Sequence, residues 1–202
     1  MKGLYIITPD WDDTQQLLQA TEAALRGGAA LVQYRHKTAG AELRREQAGR
    51  LLVLCRNYRR PLIINDHVEL CLALDADGVH VGGTDTSVAQ VRAAIGPEKI
   101  VGASCYGSLQ LARDAHRAGA SYVAFGGFYP SRVKKYAVTT LPEIIAQSKA
   151  KIPLPCVVIG GMTQENAVPL MMQGADMVAV ISSVYMAASP ELAAREFARL
   201  FD

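Results

Sequence analysis

The feature that most constrains this chain is the alternation of short apolar runs with longer amphipathic segments along the whole sequence. The apolar runs are rich in Val, Ile and Leu and show little polar alternation, which is typical of parallel strands covered on both faces. We predict eight strands, at 4–8, 31–35, 61–65, 78–81, 100–104, 122–125, 156–159 and 177–181. Helices are predicted between them, at 14–26, 41–56, 87–95, 108–118, 141–150, 166–173 and 190–200.

Eight β units in 202 residues predict an α/β fold of the compact (β/α)8 TIM-barrel type. A quasi-repeat stands just before four of the strands, where glycine can end a helix in the left-handed conformation. Its copies begin at Gly28, Ala76, Gly119 and Gly174. A doubly wound open sheet is the alternative, but the glycine-rich fingerprint that usually follows its first strand is missing. No linker-like stretch divides the chain, so we predict one catalytic domain over 1–202.

Composition excludes several classes of protein. The 21 basic residues against 19 acidic ones give a net charge of +2, too balanced for binding nucleic acid by bulk charge. No apolar run approaches the ~18–20 residues that cross a bilayer, and the first residues do not form a signal peptide. Cys55, Cys71, Cys105 and Cys156 lack C-x-x-C spacing, which predicts buried free thiols. We expect a cytoplasmic protein that binds neither nucleic acid nor membrane, and the sequence leaves open whether it forms a homo-oligomer.

Charged side chains close the second predicted strand. With a period of two, Gln33, Arg35 and Lys37 share one side of the chain. In a parallel barrel this strand end lies at the mouth where ligands bind. Placing two cations there costs free energy unless they meet an anion. We therefore predict an anion site, with a plain solvated strand end as the alternative.

Two carboxylates follow the next two strands. Asp66 lies just beyond the third strand and Asp85 just beyond the fourth, and hard oxygen ligands of this kind suit Mg²⁺. The alternative is that each aspartate caps the helix that follows it. His67 and His80 have no metal-ligand spacing around them, and we expect His80 to pack inside the barrel. The sequence therefore predicts a magnesium site at the rim.

The later strand ends add further polar groups. Ser104 closes the fifth strand and can donate a hydrogen bond to an oxyanion, although no nucleophile elbow surrounds it. The basic segment 126–135 after the sixth strand predicts a lid that brings Lys134 over a bound phosphate. A plain solvated loop is the alternative there.

A second anion site is predicted after strands seven and eight. Gly160 and Gly161 follow the seventh strand, and Ile181 and Ser182 close the eighth. Their backbone amides predict a cup for a single phosphate, as in many such barrels, although the glycines could be turn residues alone. Beside this cup lies the clamp of cations and carboxylates, and no general base is well placed. This arrangement predicts that a metal-held pyrophosphate leaves one substrate and that a second, phosphorylated substrate captures the remaining group.

Taken in order along one barrel, these motifs resemble the thiamine-phosphate synthase family over essentially the whole chain. The matching elements are Q-x-R-x-K at 33–37, N-D at Asn65 and Asp66, the aspartate of H-x-G-x-x-D at Asp85, G-x-S ending at Ser104, Y-P-[ST]-x-x-K at 129–134, G-G at Gly160 and Gly161, and I-S at Ile181 and Ser182. The resemblance implies that hydroxymethylpyrimidine diphosphate is joined to hydroxyethylthiazole phosphate, giving thiamine phosphate and pyrophosphate. It implies a dissociative mechanism in which pyrophosphate leaves first.

The resemblance also implies roles for the matched residues. Asp66 and Asp85 are expected to hold Mg²⁺. The expected contacts of the pyrimidine diphosphate are Gln33, Tyr34, Arg35, His36, Lys37, Asn65, Ser104 and Lys134. Of these, the catalytic residues are expected to be Arg35, Lys37, Ser104 and Lys134. The expected contacts of the thiazole phosphate are Ser131, Arg132, Val133, Gly161, Ile181 and Ser182.

Some positions depart from the family pattern. Gly83 stands where glutamine is common, and Ser131 and Val133 replace threonines of the lid segment. Tyr136 stands where an acidic residue or proline is frequent. Together these changes predict that thiazole-phosphate binding loses one hydrogen bond, worth about 1 kcal/mol.

Three rival functions remain at this point. A thiazole tautomerase-like isomerase of the same fold would need the phosphate cup but neither Mg²⁺ nor the cation clamp. A non-catalytic binder of thiamine phosphate would bind product tightly without turnover. Another phosphate-handling barrel isomerase would need a paired acid and base, which the sequence does not offer.

Overall fold

Parallel strands close into a ring at the centre of the molecule. The computed structural model describes residues 1–82, 87–130 and 140–202, and within them eight strands form a closed barrel in chain order. The strands are β1 (Gly3–Ile7), β2 (Leu31–Tyr34), β3 (Leu62–Asn65), β4 (Gly78–Val81), β5 (Ile100–Tyr106), β6 (Tyr122–Gly126), β7 (Cys156–Ile159) and β8 (Met177–Val180). β8 returns to β1, where Met177 pairs with Gly3. The predicted TIM barrel is thereby confirmed, and the open doubly wound sheet is excluded.

Helices connect the strands and cover the outside of the barrel. They are α1 (Thr14–Arg26), α2 (Ala41–Asn57), α3 (Val68–Leu74), α4 (Val88–Ile95), α5 (Leu109–Arg117), α6 (Glu143–Lys151), α7 (Gln164–Met172), α8 (Ser182–Tyr185) and α9 (Pro190–Ala198), followed by a 3-10 turn at Arg199–Phe201. Ser87, Ser108, Thr163 and Ser189 each accept a hydrogen bond from a backbone amide in the first turn that follows, which fixes where four helices begin. Within the described residues, no helix is long and apolar enough to cross a membrane.

Apolar side chains form two layers because successive residues of a strand point to opposite faces. The larger layer lies between strands and helices and includes Leu4, Ile6 and Val32. The smaller layer fills the barrel and includes Tyr5, Ile7 and Tyr122. The inner layer is mostly aliphatic and aromatic, so the polar atoms that it contains need partners inside the barrel.

Left-handed residues end the helices that precede several strands. Gly28, Gly119 and Gly174 have φ of +102°, +91° and +101°, as the quasi-repeat predicts. In the second copy the left-handed residue is Asp75, with φ +53°, and the amide of Ala76 donates to the carbonyl of Cys71. One turn geometry therefore recurs around the barrel, and a side chain that tolerates it can replace glycine.

Two strand ends differ from the prediction. β2 ends at Tyr34 because the amide of Arg35 donates to the hydroxyl of Thr8, 2.8 Å away, instead of continuing the ladder. β5 runs beyond its predicted end to Tyr106, and its register against β6 shifts between Ser104 and Tyr106. Both irregularities lie at the carboxyl ends of strands, where the polar residues of the sequence motifs are found.

Candidate active site

The carboxyl ends of the strands surround a pocket at the mouth of the barrel. Several residues predicted from the sequence line this pocket: Gln33, Arg35, Lys37, Asn65, Asp66, Ser104 and Ile181. They come from β2, β3 and β5 or from positions just after β2, β3 and β8. Parallel strands present all these ends at the same rim. The structure therefore brings residues from distant parts of the chain into one cavity.

Arg35 already has an anionic partner within the protein. Its Nη1 donates to both carboxylate oxygens of Asp10, at 3.0 and 3.2 Å, and its side chain is 9% exposed. The amide of Lys37 donates to the same carboxylate, with 2.9 Å between N and Oδ1. The burial of Arg35 therefore does not require a bound substrate. The cost of burying this charge is thus not by itself a reason to predict an anion site. Its position at the pocket is what makes it a candidate ligand for an anion.

A chain of hydrogen bonds runs through the inside of the barrel towards the pocket. The amide nitrogen of Gln33 donates to the hydroxyl of Tyr5, which lies 2.8 Å from that of Tyr122. His80 joins its Nδ1 to Tyr122 at 2.8 Å and its Nε2 to the hydroxyl of Ser104 at 2.9 Å. His80 also stacks on the ring of Tyr122. This chain satisfies the polar atoms of the inner layer.

The donors along this chain restrict how its protons can be arranged. An amide nitrogen can only donate, so the hydroxyl of Tyr5 accepts from Gln33, while either hydroxyl of the Tyr5–Tyr122 pair can be the donor. Burial raises the pKa of both tyrosines, which keeps them protonated. When the proton of His80 lies on Nε2, Tyr122 donates to Nδ1 and Nε2 donates to Ser104. In this tautomer the hydroxyl proton of Ser104 is left to donate to a ligand in the pocket.

Asp66 occupies a conformation that few L-residues adopt. Its φ is +62°, its amide donates to the carbonyl of His80 at 2.9 Å, and its carboxylate accepts from the side chain of Asn65 at 2.7 Å. The alternative role as a helix cap is not what the structure has, because α3 begins after His67 without any side-chain cap. The carboxylate is exposed at the mouth of the barrel instead.

The donor set at this rim fits Mg²⁺. This ion usually takes one or two carboxylates and completes its shell with water and substrate phosphate oxygens. Asp66 offers such a carboxylate at the pocket. In the part of the chain that the structure describes, no three His, Cys, Asp or Glu side chains are grouped as a metal site would need. Asp66 is therefore suited to an ion held largely by its substrate.

The loops after β7 and β8 contact each other on the other side of the mouth. The hydroxyl of Ser183 donates to the carbonyl of Met162, and the side chain of Ile181 reaches the pocket. Gly160 and Gly161 have φ of +111° and +63°. A Cβ on Gly161 would collide with the carbonyl oxygen of Pro130. The glycines thus serve the turn, and Met162, which follows them, contacts Ser183 of the loop after β8.

Two predicted contacts point away from the pocket. Tyr34 faces the outer layer, where its hydroxyl donates to Gln47 on α2 at 3.0 Å. His36 is buried beside the β1–α1 loop, with its Nε2 3.0 Å from a carboxylate oxygen of Asp12. Strand alternation explains both, since residues 34 and 36 lie on the opposite side from 33, 35 and 37. Neither residue is among those that line this pocket, and their contacts with the pyrimidine diphosphate stay predictions.

Other predicted residues fall outside the residues that the structure describes. They are Gly83, Asp85, Ser131, Arg132, Val133, Lys134 and Tyr136. The described residues nearest to Asp85 in the sequence are those at the start of α4, where Ser87 and Gln90 form a complete capping box.

Sequence reasoning missed part of the wall of the pocket. Tyr5, Ile7 and Tyr106 line it, and Asp10 holds Arg35 from outside it. A period of two along β1 was enough to place Tyr5 and Ile7 on one face. Asp10 gave a weaker signal, namely an acidic residue directly after the first strand.

Comparisons of sequence agree with this geometry. A family model described as thiamine monophosphate synthase matches residues 4–184. A thiamine-phosphate synthase of Janthinobacterium sp. (strain Marseille) is 64% identical over 201 residues, which cover 100% of this chain and 97% of the relative. A thiamine-phosphate synthase of Methylobacillus flagellatus is 50% identical over 100% of this chain and 96% of its own length.

Solved structures show the same similarity. A thiamine phosphate pyrophosphorylase from Pyrococcus furiosus superposes with a TM-score of 0.86 at 32% sequence identity, over 98% of this chain and 95% of that chain. A 3-hexulose-6-phosphate synthase superposes with a TM-score of 0.74 at 17% identity, over 100% of both chains, and shares the fold alone. With the family model matching most of its length, the chain belongs to the thiamine monophosphate synthase family of transferases.

Proposed function

We propose that this chain is a magnesium-dependent thiamine-phosphate synthase that joins hydroxymethylpyrimidine diphosphate to hydroxyethylthiazole phosphate. The products are thiamine phosphate and pyrophosphate. One observation carries the proposal: two cations, a carboxylate and a hydroxyl meet in one pocket of a chain that belongs to this family. These groups are Arg35, Lys37, Asp66 and Ser104.

The pyrimidine diphosphate lies against the β2, β3 and β5 side of the mouth in this proposal. Arg35 and Lys37 hold its phosphates, and the hydroxyl of Ser104 donates to a phosphate oxygen. Asp66 would hold Mg²⁺ together with Asp85. The ion, when bound, offsets the negative charge of the departing pyrophosphate. Asn65 keeps the carboxylate of Asp66 oriented through its side-chain amide.

The chemistry proposed is dissociative substitution, in which the bond to pyrophosphate breaks before the thiazole nitrogen attacks. Such a step needs positioned positive charge more than it needs a base. The contacts of His80 support this, because its two ring nitrogens already lie at 2.8 and 2.9 Å from the hydroxyls of Tyr122 and Ser104. Gln33, which lies 2% exposed at the wall of the pocket, can orient the pyrimidine ring.

The thiazole phosphate is proposed to bind on the β7 and β8 side. Gly161, Ile181 and Ser182 supply backbone and hydroxyl donors there, and Ser131, Arg132 and Val133 are expected to complete the site. The loss of a threonine hydroxyl at Val133 leaves fewer donors for this phosphate. We also propose a cytoplasmic location, which four buried free cysteines support.

The proposal is tested by measuring pyrophosphate release with both substrates. Release should need both substrates and Mg²⁺, and should stop when the metal is chelated. Asp66→Ala and Lys134→Ala should each lower the rate by about 100-fold or more, because the first removes a ligand of the ion and the second a positive charge, and both stabilise the leaving group. Glu98→Ala and Lys151→Ala are matched controls, since both side chains are exposed and lie beside the amino ends of strands.

The outcomes separate the rival functions. Activity without added metal and full activity of Asp66→Ala would contradict the magnesium site. Folded wild-type protein that binds thiamine phosphate but releases no pyrophosphate would be a binder. Conversion of a thiazole phosphate without the pyrimidine substrate would instead indicate the tautomerase-like isomerase.

A further inference from the structure

The β1–α1 loop holds the end of β2 through one carboxylate. Asp10 accepts hydrogen bonds from Nη1 of Arg35 with both of its oxygens, at 3.0 and 3.2 Å. Its Oδ1 also accepts from the amide of Lys37, at 2.9 Å. A single side chain thus contacts both cationic positions at the mouth of the barrel.

The position of Asp10 is set by contacts that do not involve Arg35. The ring of Trp11 packs edge-on against Tyr185 of α8, with 5.8 Å between ring centroids. The carbonyl of Trp11 accepts from the side chain of Gln47 on α2, at 2.8 Å. Asp13, three residues after Asp10, caps α1. The loop is therefore anchored directly after Asp10 by contacts that are independent of Arg35.

This contact leaves part of the guanidinium for another partner. Within residues 1–82, 87–130 and 140–202, no protein atom accepts a hydrogen bond from Nε or Nη2 of Arg35. Neither nitrogen is among the buried atoms that lack a partner. Because Nη1 is held by Asp10, the remaining donors on Nε and Nη2 lie in a defined plane. Such a pair of donors suits two neighbouring phosphate oxygens.

We propose that Asp10 is a positioning residue for anion binding: it fixes the guanidinium of Arg35 and the backbone of Lys37 so that both meet the diphosphate of the first substrate. The inference rests on the proposed function and extends it to a residue outside the pocket wall. It predicts that removal of the Asp10 charge weakens diphosphate binding, although it adds net positive charge to the mouth.

Two other roles for Asp10 make different predictions. If it competed with the substrate for Arg35, its removal would tighten the binding of a diphosphate. If it only stabilised the fold, its removal would lower the melting temperature and affect both substrates alike. The direction of the change in diphosphate binding, and its restriction to one substrate, therefore distinguish positioning from competition and from stabilisation of the fold.

The experiment compares Asp10→Asn with Asp13→Asn. Both replacements are nearly isosteric, remove one negative charge and lie in the same loop, and asparagine still caps a helix well. Mg²⁺ plus inorganic pyrophosphate is the probe in calorimetry, and KM is measured for each substrate. Asp10→Asn should weaken pyrophosphate binding about 10-fold and raise the KM of the pyrimidine diphosphate similarly. The KM of the thiazole phosphate should stay within about 2-fold, as should all three values in Asp13→Asn.

A double variant tests whether Asp10 acts through Arg35. Asp10→Asn should weaken pyrophosphate binding less in the Arg35→Ala background than in wild type, because only the backbone of Lys37 is then left to be positioned. Fully additive losses would overturn the inference, as would unchanged or tighter pyrophosphate binding by folded Asp10→Asn. If wild-type protein released no pyrophosphate in the activity assay, the proposed function would fail. The calorimetric comparison would still decide about Asp10, since it needs only metal and pyrophosphate.

Discussion

Single residues at the centre of this barrel are connected by hydrogen bonds rather than by apolar contact alone. The chain from Gln33 through Tyr5 and Tyr122 to His80 ends at Ser104, on the wall of the pocket. Each link lies where water has little access, so loss of one partner leaves the next group unpaired. The middle of the chain of hydrogen bonds therefore matters for stability, and its end at Ser104 for the proposed binding of the diphosphate.

Replacing Tyr122 by phenylalanine tests the middle of this chain. Tyr122→Phe removes the partner of both the Tyr5 hydroxyl and Nδ1 of His80. We expect the free energy of unfolding in urea to fall by about 1–3 kcal/mol. Tyr58→Phe is the control, because its hydroxyl donates to Glu22 in a partly exposed contact, and should change stability by about 0.5 kcal/mol or less. Equal effects of the two replacements would contradict the importance of the inner chain.

Sequence alone predicts residues whose side follows from strand period. Arg35 and Lys37 lie at the mouth for this reason, while the same period turns Tyr34 and His36 away from it. Asp10 is a different case, because its contact with Arg35 joins two loops 25 residues apart in the chain. Local pattern carries no information on which of several loop carboxylates will reach across.

Among the structural elements, the loops after β6 and β7 are in close backbone contact. The carbonyl of Pro130 lies against the Cα of Gly161, so that a side chain has no room there. This contact places the end of the described β6–α6 loop beside the proposed phosphate cup. The glycine is therefore needed both for its left-handed φ of +63° and for the approach of the neighbouring loop.

Gly161→Ala should disturb the second substrate site. A methyl group there strains the backbone by an expected 1–3 kcal/mol and pushes the two loops apart. We expect a lower melting temperature and a KM for the thiazole phosphate raised about 10-fold, with a smaller effect on the pyrimidine diphosphate. In Gly40→Ala nothing lies within 4 Å of the added Cβ and φ is −66°, so the free energy of unfolding should fall by about 1 kcal/mol or less, the cost of alanine at the N-cap of α2. Equal KM values for wild type and Gly161→Ala would contradict a phosphate cup at this turn.

Strands were easier to predict than element ends. Eight apolar runs of Val, Ile and Leu identify the strands, because both faces of each are covered. The start of α7 was predicted two residues late, since Asn166 rather than Glu or Gln completes the capping box with Thr163. The continuation of β5 to Tyr106 depends on a shift in pairing with β6, which no local sequence signal specifies.

For the molecule as a whole, the reactivity of the four cysteines measures how far the folded protein opens. Cys55, Cys71, Cys105 and Cys156 are buried and unpaired, and they lie on different strands and helices. Burial raises the pKa of Cys71 to about 11 and of the other three to about 12. The reactive thiolate is therefore scarce in the folded protein at any ordinary pH.

Thiol titration should follow global unfolding. At pH 8 the native protein should react with an aromatic disulfide reagent at none of its four cysteines within minutes, and at all four in denaturant. Raising the pH to 9 leaves about 1% thiolate or less at each site, so the native rate should stay far below that of a free thiol. Rapid modification of one cysteine in folded protein would show that its part of the barrel opens separately.

The pairing of β1 with β8 has a consequence for synthesis on the ribosome. Strands join in chain order, but the ring closes only when Met177 reaches Gly3, and β8 leaves the ribosome after all the other strands. Until then a nascent chain has two open sheet edges, on β1 and on the newest strand, and such edges pair readily with other chains. Translation that stalls within α7 should therefore yield products that aggregate or depend on chaperones, although seven of the eight strands are already made.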